Sequence, residues 1–370
     1  MKYYIIAGEA SGDLHGSNLM KALQHEDAHA DFRFWGGDLM QAVSGTLVKH
    51  YKERAFMGFI EVIMNLPSIF KDITLCKNDI ENFKPDVIVF IDNSGFNLRI
   101  AKWAKQQNFK TQYYISPQVW ASRAGRVKAI KRDIDAMYVI LPFVKAFYKK
   151  HDYHVNFAGH PLIDAIANRE QVNPEKFRKA YLLNDKPIIA LLPGSRKQEI
   201  TNMLSVMLSL VNDFPEYQFV IAGAPSQDYS FYEPFIKSSN VAFIPNKTYD
   251  LLSVSTAALV TSGTATLETA LFKVPQVVCY KGSAISYQIA KRIITLKYIS
   301  LVNLVMDKEV VMELIQNDFN KTNLKKELEA ILDDDIRKKL FISYYELEKA
   351  LGGKGASKKT AQLIYKSIKD

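Results

Sequence analysis

Ala257-Ala258-Leu259-Val260-Thr261, followed at once by Ser262-Gly263-Thr264-Ala265-Thr266-Leu267-Glu268, decides how this chain is read. A short apolar run, a glycine break and a helical pattern through Leu267, Ala270 and Leu271 read as strand, tight loop and helix. The glycine lets a ligand come close to the backbone. The first helical turn offers unpaired N–H groups and the positive end of the dipole, so Ser262, Gly263 and Thr264 suit an anion. Glu268 lies about one turn further in, where a carboxylate accepts hydrogen bonds from ribose hydroxyls while phosphates sit at the helix start. The alternative is a glutamate that only complements the dipole. It is not the acid of a capping box, because Ala265 stands three residues before it.

The same alternation of apolar run and helical pattern extends outward to both sides, from the first residues to about Lys281. Strand candidates in the first half are Tyr3–Ala7, Val87–Asp92, Thr111–Ile115, Met137–Leu141 and Val155–Ala158. Those in the second half are Ile188–Leu192, Phe219–Ala222, Val241–Ile244, Ala257–Thr261 and Gln276–Tyr280. Near-continuous apolar strands separated by helices indicate parallel sheets covered on both faces. At 370 residues the chain is too long for one ordinary core. The fold class expected is therefore α/β, two doubly wound Rossmann-like domains. A polar stretch from Asp164 to Pro187 places the junction, with domains at 1–165 and 166–340. Residues 341–370 read as terminal helices separated by Gly352-Gly353-Lys354-Gly355, and beyond Tyr298 the pattern is almost wholly helical.

Hydrophobic residues make up 48% of the chain and charged residues 24%, the proportions of a folded globular protein. Cys76 and Cys279 lie far apart in apolar contexts and read as buried thiols of a reducing compartment. The N-terminal apolar run is too short for a signal peptide, and no apolar stretch approaches the ~20 residues of a membrane span. A net charge of +9 calls for an anionic partner: nucleic acid, an anionic membrane or a phosphorylated substrate. Basic clusters stand at Arg123, Arg126, Lys128, Lys131 and Arg132 and at Lys354, Lys358 and Lys359. No helix-turn-helix, zinc-finger or aromatic ribonucleoprotein signature accompanies them, so no nucleic-acid partner is expected.

Three further strand ends carry polar groups suited to chemistry. Gly8-Glu9-Ala10-Ser11-Gly12-Asp13 follows the first strand, but its glycine spacing is not that of a dinucleotide fingerprint and its two acids would repel a pyrophosphate. Sugar hydroxyls suit it better; the alternative is a well-capped turn with Ser11 or Asp13 as cap. Asp92-Asn93-Ser94-Gly95-Phe96-Asn97 ends the strand Val87–Ile91, where a partly desolvated carboxylate can take a proton from an attacking hydroxyl. An Asx turn capping the next helix is the competing reading. Gly194-Ser195-Arg196 opens the second domain, and Arg196 offers a planar, permanently charged fork for phosphate. Pairing of Arg196 with Glu199 is the less favoured role. His15 and His160 follow glycine-containing loops, with contact to sugar or phosphate and a structural role both open.

In order along the chain, Gly8 to Asp13, Met57-Gly58-Phe59-Ile60-Glu61-Val62, Lys84-Pro85-Asp86 leading to Asp92, Phe96-Asn97, Ser116-Pro117-Gln118-Val119-Trp120-Ala121, Leu141-Pro142-Phe143 and Gly159-His160-Pro161-Leu162 resemble the lipid-A-disaccharide synthases. The match continues through Leu192 to Arg196, Ser262 to Glu268 and Ser300-Leu301-Val302-Asn303-Leu304. The resemblance implies a glycosyltransferase-B fold, its domains facing a cleft, the first for acceptor and the second for donor. It implies that UDP-2,3-diacylglucosamine is joined to 2,3-diacylglucosamine 1-phosphate through a β-1,6 bond, with UDP released. No His, Cys and Asp cluster of metal-ligand spacing appears in the sequence, so no metal or cofactor is expected. Asp92 matches the essential aspartate of that family, a general base, and Glu9 an active-site glutamate. Gly194, Ser195, Arg196, Ser262, Gly263, Thr264, Glu268 and Asn303 fall on the UDP side. The chain departs from the pattern at Gly95, where many members carry a second acid. That departure leaves Asp92 as the local candidate base. By the same likeness the terminal helices pack back on the first domain.

The stretch from Ala55 to Phe70 is more apolar than a connector needs to be. Part of it must be core. A helix apolar around most of its circumference also docks to acyl chains or a bilayer surface. Met57, Phe59, Ile63, Leu66, Ile69 and Phe70, with Arg123 and Arg126 for head groups or the acceptor phosphate, are expected to seat the protein on the cytoplasmic face of the inner membrane. Two rival readings stay open from the residues alone: another UDP-sugar enzyme on the same architecture, and a non-catalytic membrane module.

Overall fold

The computed structural model describes residues 1–54, 66–122, 124–237, 239–282 and 297–369. They form two compact units, 1–168 together with 351–370, and 169–350. Strands of the first unit are β1 (Lys2–Ala7), β2 (Asp31–Gly36), β3 (Thr46–His50), β4 (Val87–Ile91), β5 (Thr111–Tyr114), β6 (Ala136–Val139) and β7 (Asn156–Phe157). They pair in parallel in the order β3-β2-β1-β4-β5-β6-β7. The second unit has β8 (Ile188–Leu192), β9 (Gln218–Gly223), β10 (Ala242–Pro245), β11 (Ala257–Thr261), β12 (Gln276–Tyr280) and β13 (Glu313–Ile315). Its order is β10-β9-β8-β11-β12-β13, again parallel.

The central strands explain the arrangement. In β4, β8 and β11 every residue is buried, which is the signature of a strand with helices on both faces. Each sheet reverses its strand order once, between β1 and β4 in one unit and between β8 and β11 in the other. Register places Ala7 beside Ile91 and Leu192 beside Val260. The loops that follow, Gly8–Glu9 with Asp92–Asn93 and Pro193–Arg196 with Ser262–Thr264, therefore emerge side by side at the two points where an open α/β sheet accepts ligands.

Three strands escaped the sequence pattern. β2 and β3 carry Asp31, Arg33, Lys49 and His50 among their apolar residues, and β13 has three residues and begins with Glu313. β13 also corrects the expectation of an almost wholly helical region beyond Tyr298. The return of the chain to the first unit comes at Leu351, not at 341, because the helix Asp334–Ala350 buries Tyr344 and Leu347 within the second unit. The last helix, Ala356–Lys369, packs against the helix Ala10–Glu26. Asp164 caps it, accepting hydrogen bonds from the backbone N–H groups of Gly355 at 2.6 Å and Ser357 at 3.0 Å. Cys76 and Cys279 are both buried, and no disulfide joins them.

Candidate active site

In the first unit the loops that carry Glu9 and Asp92 emerge side by side, and the two carboxylates feel one another's charge. Asp92 stands one residue past β4 and is half-buried, and Glu9 stands two past β1 and is exposed. Burial and then the charge of Glu9 push the Asp92 carboxyl up to about 6, against a backbone hydrogen bond from Asn93. A carboxylate poised there is ionised at neutral pH yet still basic enough to accept a proton in a transition state. Glu9 precedes the helix Ala10–Glu26 without capping it through its side chain, so its carboxylate stays available. Gly8 is glycine for a steric reason: a Cβ there would lie 2.0 Å from the Asn93 side-chain amide nitrogen. That interlock fixes the Gly8–Glu9 loop against Asp92–Asn93.

Other polar residues of the first loop are committed to structure. Asp13 is buried and accepts from the backbone N–H groups of Gly37, Leu39 and Met40 at 2.8, 3.0 and 3.0 Å, capping the short helix Asp38–Gln41 rather than its own. His160 caps the helix Pro161–Ala167 through Nδ1, which accepts from Leu162 N–H. Burial lowers His15 to about 4 and His160 to about 3, and each is felt by a neighbour, Asp164 in the one case and His15 in the other. Both imidazoles are therefore neutral, which answers the open question for His160 in favour of structure.

In the second unit the strand-loop-helix motif forms as read. Gly263 adopts φ +152°, and a Cβ built on it meets nothing within 4 Å, so a ligand atom can occupy that space. The helix Thr264–Leu271 starts without a side-chain cap, leaving its first N–H groups for an outside acceptor. Ser262 Oγ donates to Ile299 O at 2.9 Å and is spent on holding the 299–303 segment beside the loop. Glu268 is half-buried, its carboxyl raised by burial, and accepts from Tyr249 Oη at 2.8 Å. Arg196 is paired with Glu199 at 3.3 Å, the role the sequence disfavoured, with its side chain 84% exposed. A surface pair of this kind is weak and yields readily to a phosphate.

Asn303 is held within the protein. It is fully buried, and its amide is satisfied on every side. Nδ2 donates to Val311 O at 2.8 Å and Glu313 Oε1 at 2.9 Å, while Oδ1 accepts from the N–H groups of Val310 at 2.8 Å and Val311 at 3.0 Å. All four bonding capacities of the side chain are used within the protein. It secures the loop into β13, whose Glu313 in turn accepts from Ile299 and Ser300 N–H. Of the acyl- or membrane-facing residues, Met57, Phe59, Ile63 and Arg123 lie outside the described residues, as does the side chain of Leu66. Phe70 is exposed on the helix Leu66–Phe83, Ile69 beside it is half-buried, and Arg126 is half-buried in a 3₁₀ turn.

Sequence reading missed the residues behind Glu268. Tyr249, Asn246, Thr248 and Arg169 line a pocket of about 310 Å³ below the carboxyl ends of β9 and β10. Arg169 pairs with Asp250 and lies over the Phe272 ring at 5.4 Å. The Asn246–Lys247 turn after β10 was the one local signal available.

With this geometry in place, comparison with known proteins assigns the chain. A family model described as lipid-A-disaccharide synthetase matches residues 3–366. A lipid-A-disaccharide synthase from Syntrophus aciditrophicus is 38% identical, the match covering 99% of this chain and 97% of that protein. One from Geobacter metallireducens is 36% identical over 98% and 96%. Among solved structures, a UDP-GlcNAc 2-epimerase from Neisseria meningitidis, bound to UDP-GlcNAc, gives a TM-score of 0.72 at 14% identity, covering 99% of this chain and 100% of that one. At that identity the likeness bears on the fold alone, the two parallel-sheet units of the glycosyltransferase-B type. Match length, coverage and identity agree with the motifs: the chain belongs to the lipid-A-disaccharide synthetase family, hexosyltransferases that form the lipid A disaccharide.

Proposed function

We propose that the donor is UDP-2,3-diacylglucosamine and the acceptor 2,3-diacylglucosamine 1-phosphate, joined through a β-1,6 bond with inversion. Asp92 takes the proton of the acceptor 6-hydroxyl as that oxygen attacks the anomeric carbon. The bond from that carbon to the UDP oxygen breaks in the same step. The negative charge gathering on the diphosphate is stabilised by Arg196 and the N–H groups after Gly263, fixed before the reaction begins. Gly194, Ser195 and Thr264 line the phosphate path in this reading, and Glu268 accepts from ribose. The UDP-GlcNAc bound in the Neisseria structure supports a nucleotide-sugar donor.

One observation carries the reading: a half-buried Asp92 at the switch point of its sheet, raised to about 6 by burial and Glu9. The test is incubation of the protein with both diacylated substrates and detection of disaccharide 1-phosphate by mass spectrometry. Asp92→Ala is expected to keep UDP affinity and lose roughly 10²–10⁴-fold in turnover. Turnover of unacylated UDP-GlcNAc alone would instead favour an epimerase-like enzyme.

The same reading places the enzyme peripherally on the cytoplasmic face of the inner membrane, where its acylated substrates reside. Supporting it, Phe70 is 62% exposed and Leu75 on the same helix 45%. Among the described residues no helix is long and apolar enough to cross a membrane. Replacement of Ile69 and Phe70 by Ser should reduce binding to anionic vesicles with the fold retained; unchanged partition would remove the membrane part.

A further inference from the structure

Asp92 and Asn93 are consecutive non-glycine residues in the left-handed region, at φ +44° and +42°. Each such residue costs on the order of 1–2 kcal/mol, so the pair persists only where its surroundings over-determine it. What determines it is the Asp92 carbonyl, not the carboxylate. Asn97 Nδ2 donates to Asp92 O at 2.8 Å and to Ile91 O at 3.1 Å, and lies 3.4 Å from Ile6 O. Tyr113 Oη, on β5, donates to the same Asp92 carbonyl. Asn97 and Tyr113 are both fully buried, and a buried donor or acceptor left without its partner is expensive. The carbonyl is thus drawn inward by two side chains from two different elements.

We propose that Asn97 and Tyr113 are positioning residues for the transfer, turning the Asp92–Asn93 peptide inward so that the Asp92 carboxylate is presented beside Glu9. By reaching Ile6 O as well as Ile91 O and Asp92 O, the Asn97 amide ties the end of β1 to the end of β4. It therefore sets the relation of the two carboxylate-bearing loops. Tyr113 packs against Phe90 of β4 with ring centroids 5.8 Å apart, so its hydroxyl height is fixed by the sheet itself. Neither residue touches substrate in this account. Their effect on the reaction passes through the backbone of Asp92.

The proposal rests on the reading of Asp92 as base, and the experiment separates the two. The full-length protein is compared as wild type, Tyr113→Phe, Asn97→Ser and Asp92→Asn, by turnover against pH, UDP affinity and thermal melting. Tyr113→Phe keeps the packed ring and removes one hydrogen bond. It should lower kcat about tenfold, the rate equivalent of one such bond, with UDP affinity unchanged. The acid limb of its pH profile should move away from the wild-type position, because the Asp92 carboxylate shifts relative to Glu9. Asn97→Ser, which cannot span both strand ends, should lose more. A fall in melting temperature with kcat and the acid limb unchanged in Tyr113→Phe overturns the positioning role. Retained turnover in Asp92→Asn overturns the base reading, whatever the other variants do.

Discussion

The two strand-end loops of this protein start from one architectural position and finish as opposites. Each follows the central strands of a parallel sheet where the strand order reverses. In the first unit the position holds two carboxylates, a backbone bent into left-handed conformations, and buried side chains that hold the bend. In the second it holds an exposed Arg196, an uncapped helix start and empty space over Gly263. The sheet supplies only the place. Side-chain choice turns that place into a desolvated carboxylate in one unit and an open, cationic helix start in the other. In the proposed reaction the first serves as base and the second as anion cradle, and a base must be aimed whereas a cradle must be open.

The sharpest way to break the contrast is Gly8→Ala. Its new Cβ would meet the Asn93 amide nitrogen at 2.0 Å, so the Asn93 side chain must be displaced and its packing against the Gly8–Glu9 loop is lost. Turnover should fall roughly tenfold to a hundredfold, as for small misplacements of a reacting group, with UDP affinity unchanged by calorimetry. Wild-type kcat in that variant would mean the interlock does not aim Asp92. In the second unit Arg196→Ala should weaken UDP by roughly tenfold and leave thermal stability alone, since the Arg196–Glu199 pair is a surface one.

Asn303→Ala should do the reverse in the same unit, costing about 1–3 kcal/mol of stability by orphaning buried partners while the folded fraction binds UDP as before. Equal UDP affinity in Arg196→Ala and wild type, or weakened affinity in folded Asn303→Ala, would exchange their roles. The smallest effects are in pH dependence. Asp92 binds its proton more tightly folded, at about 6, than at its ordinary 3.8. Its ionisation therefore works against folding progressively from pH 3.8 to 6 and fully above that. Asp92→Asn should raise the melting temperature at pH 8 and leave it unchanged near pH 3. Glu9→Gln removes the like charge and should move the acid limb of kcat to lower pH by up to about one unit.

The histidines add a pH limit of their own. His15 and His160 fall from 6.5 to about 4 and about 3 in the folded chain. The unfolded chain takes up protons that the folded chain refuses, so stability present above pH 6.5 is lost as pH falls toward 4.

How much of this was legible beforehand varies by residue. β8, β11 and β12 were bounded by their apolar runs alone, because strands buried on both faces carry no polar alternation to blur them. β2 was hidden because it buries Phe32, Phe34 and Trp35 beside Arg33, whose charge is neutralised by Asp79 from a distant helix. Glu9, Asp92 and Arg196 were visible as polar groups just past strand ends, and Glu268 as an acid one turn into the helix that follows β11. Asn303 was visible too, but a motif position does not say that its amide is bonded to Val310, Val311 and Glu313. Tyr249 and Tyr113 gave no sign, because each acts on a partner many residues away.

The sequence by itself determined the two parallel sheets, the family and the polar groups at the strand ends, because apolar runs, glycine breaks and ordered motifs are local. Which polar groups are free was settled only by tertiary structure. Asp13 and Asn303 were spent on capping and loop closure, while Asp92 was desolvated, set beside Glu9 and turned by Asn97 and Tyr113. Hydrogen-bond satisfaction and burial depend on segments brought together from far along the chain, and no spacing within one segment records them.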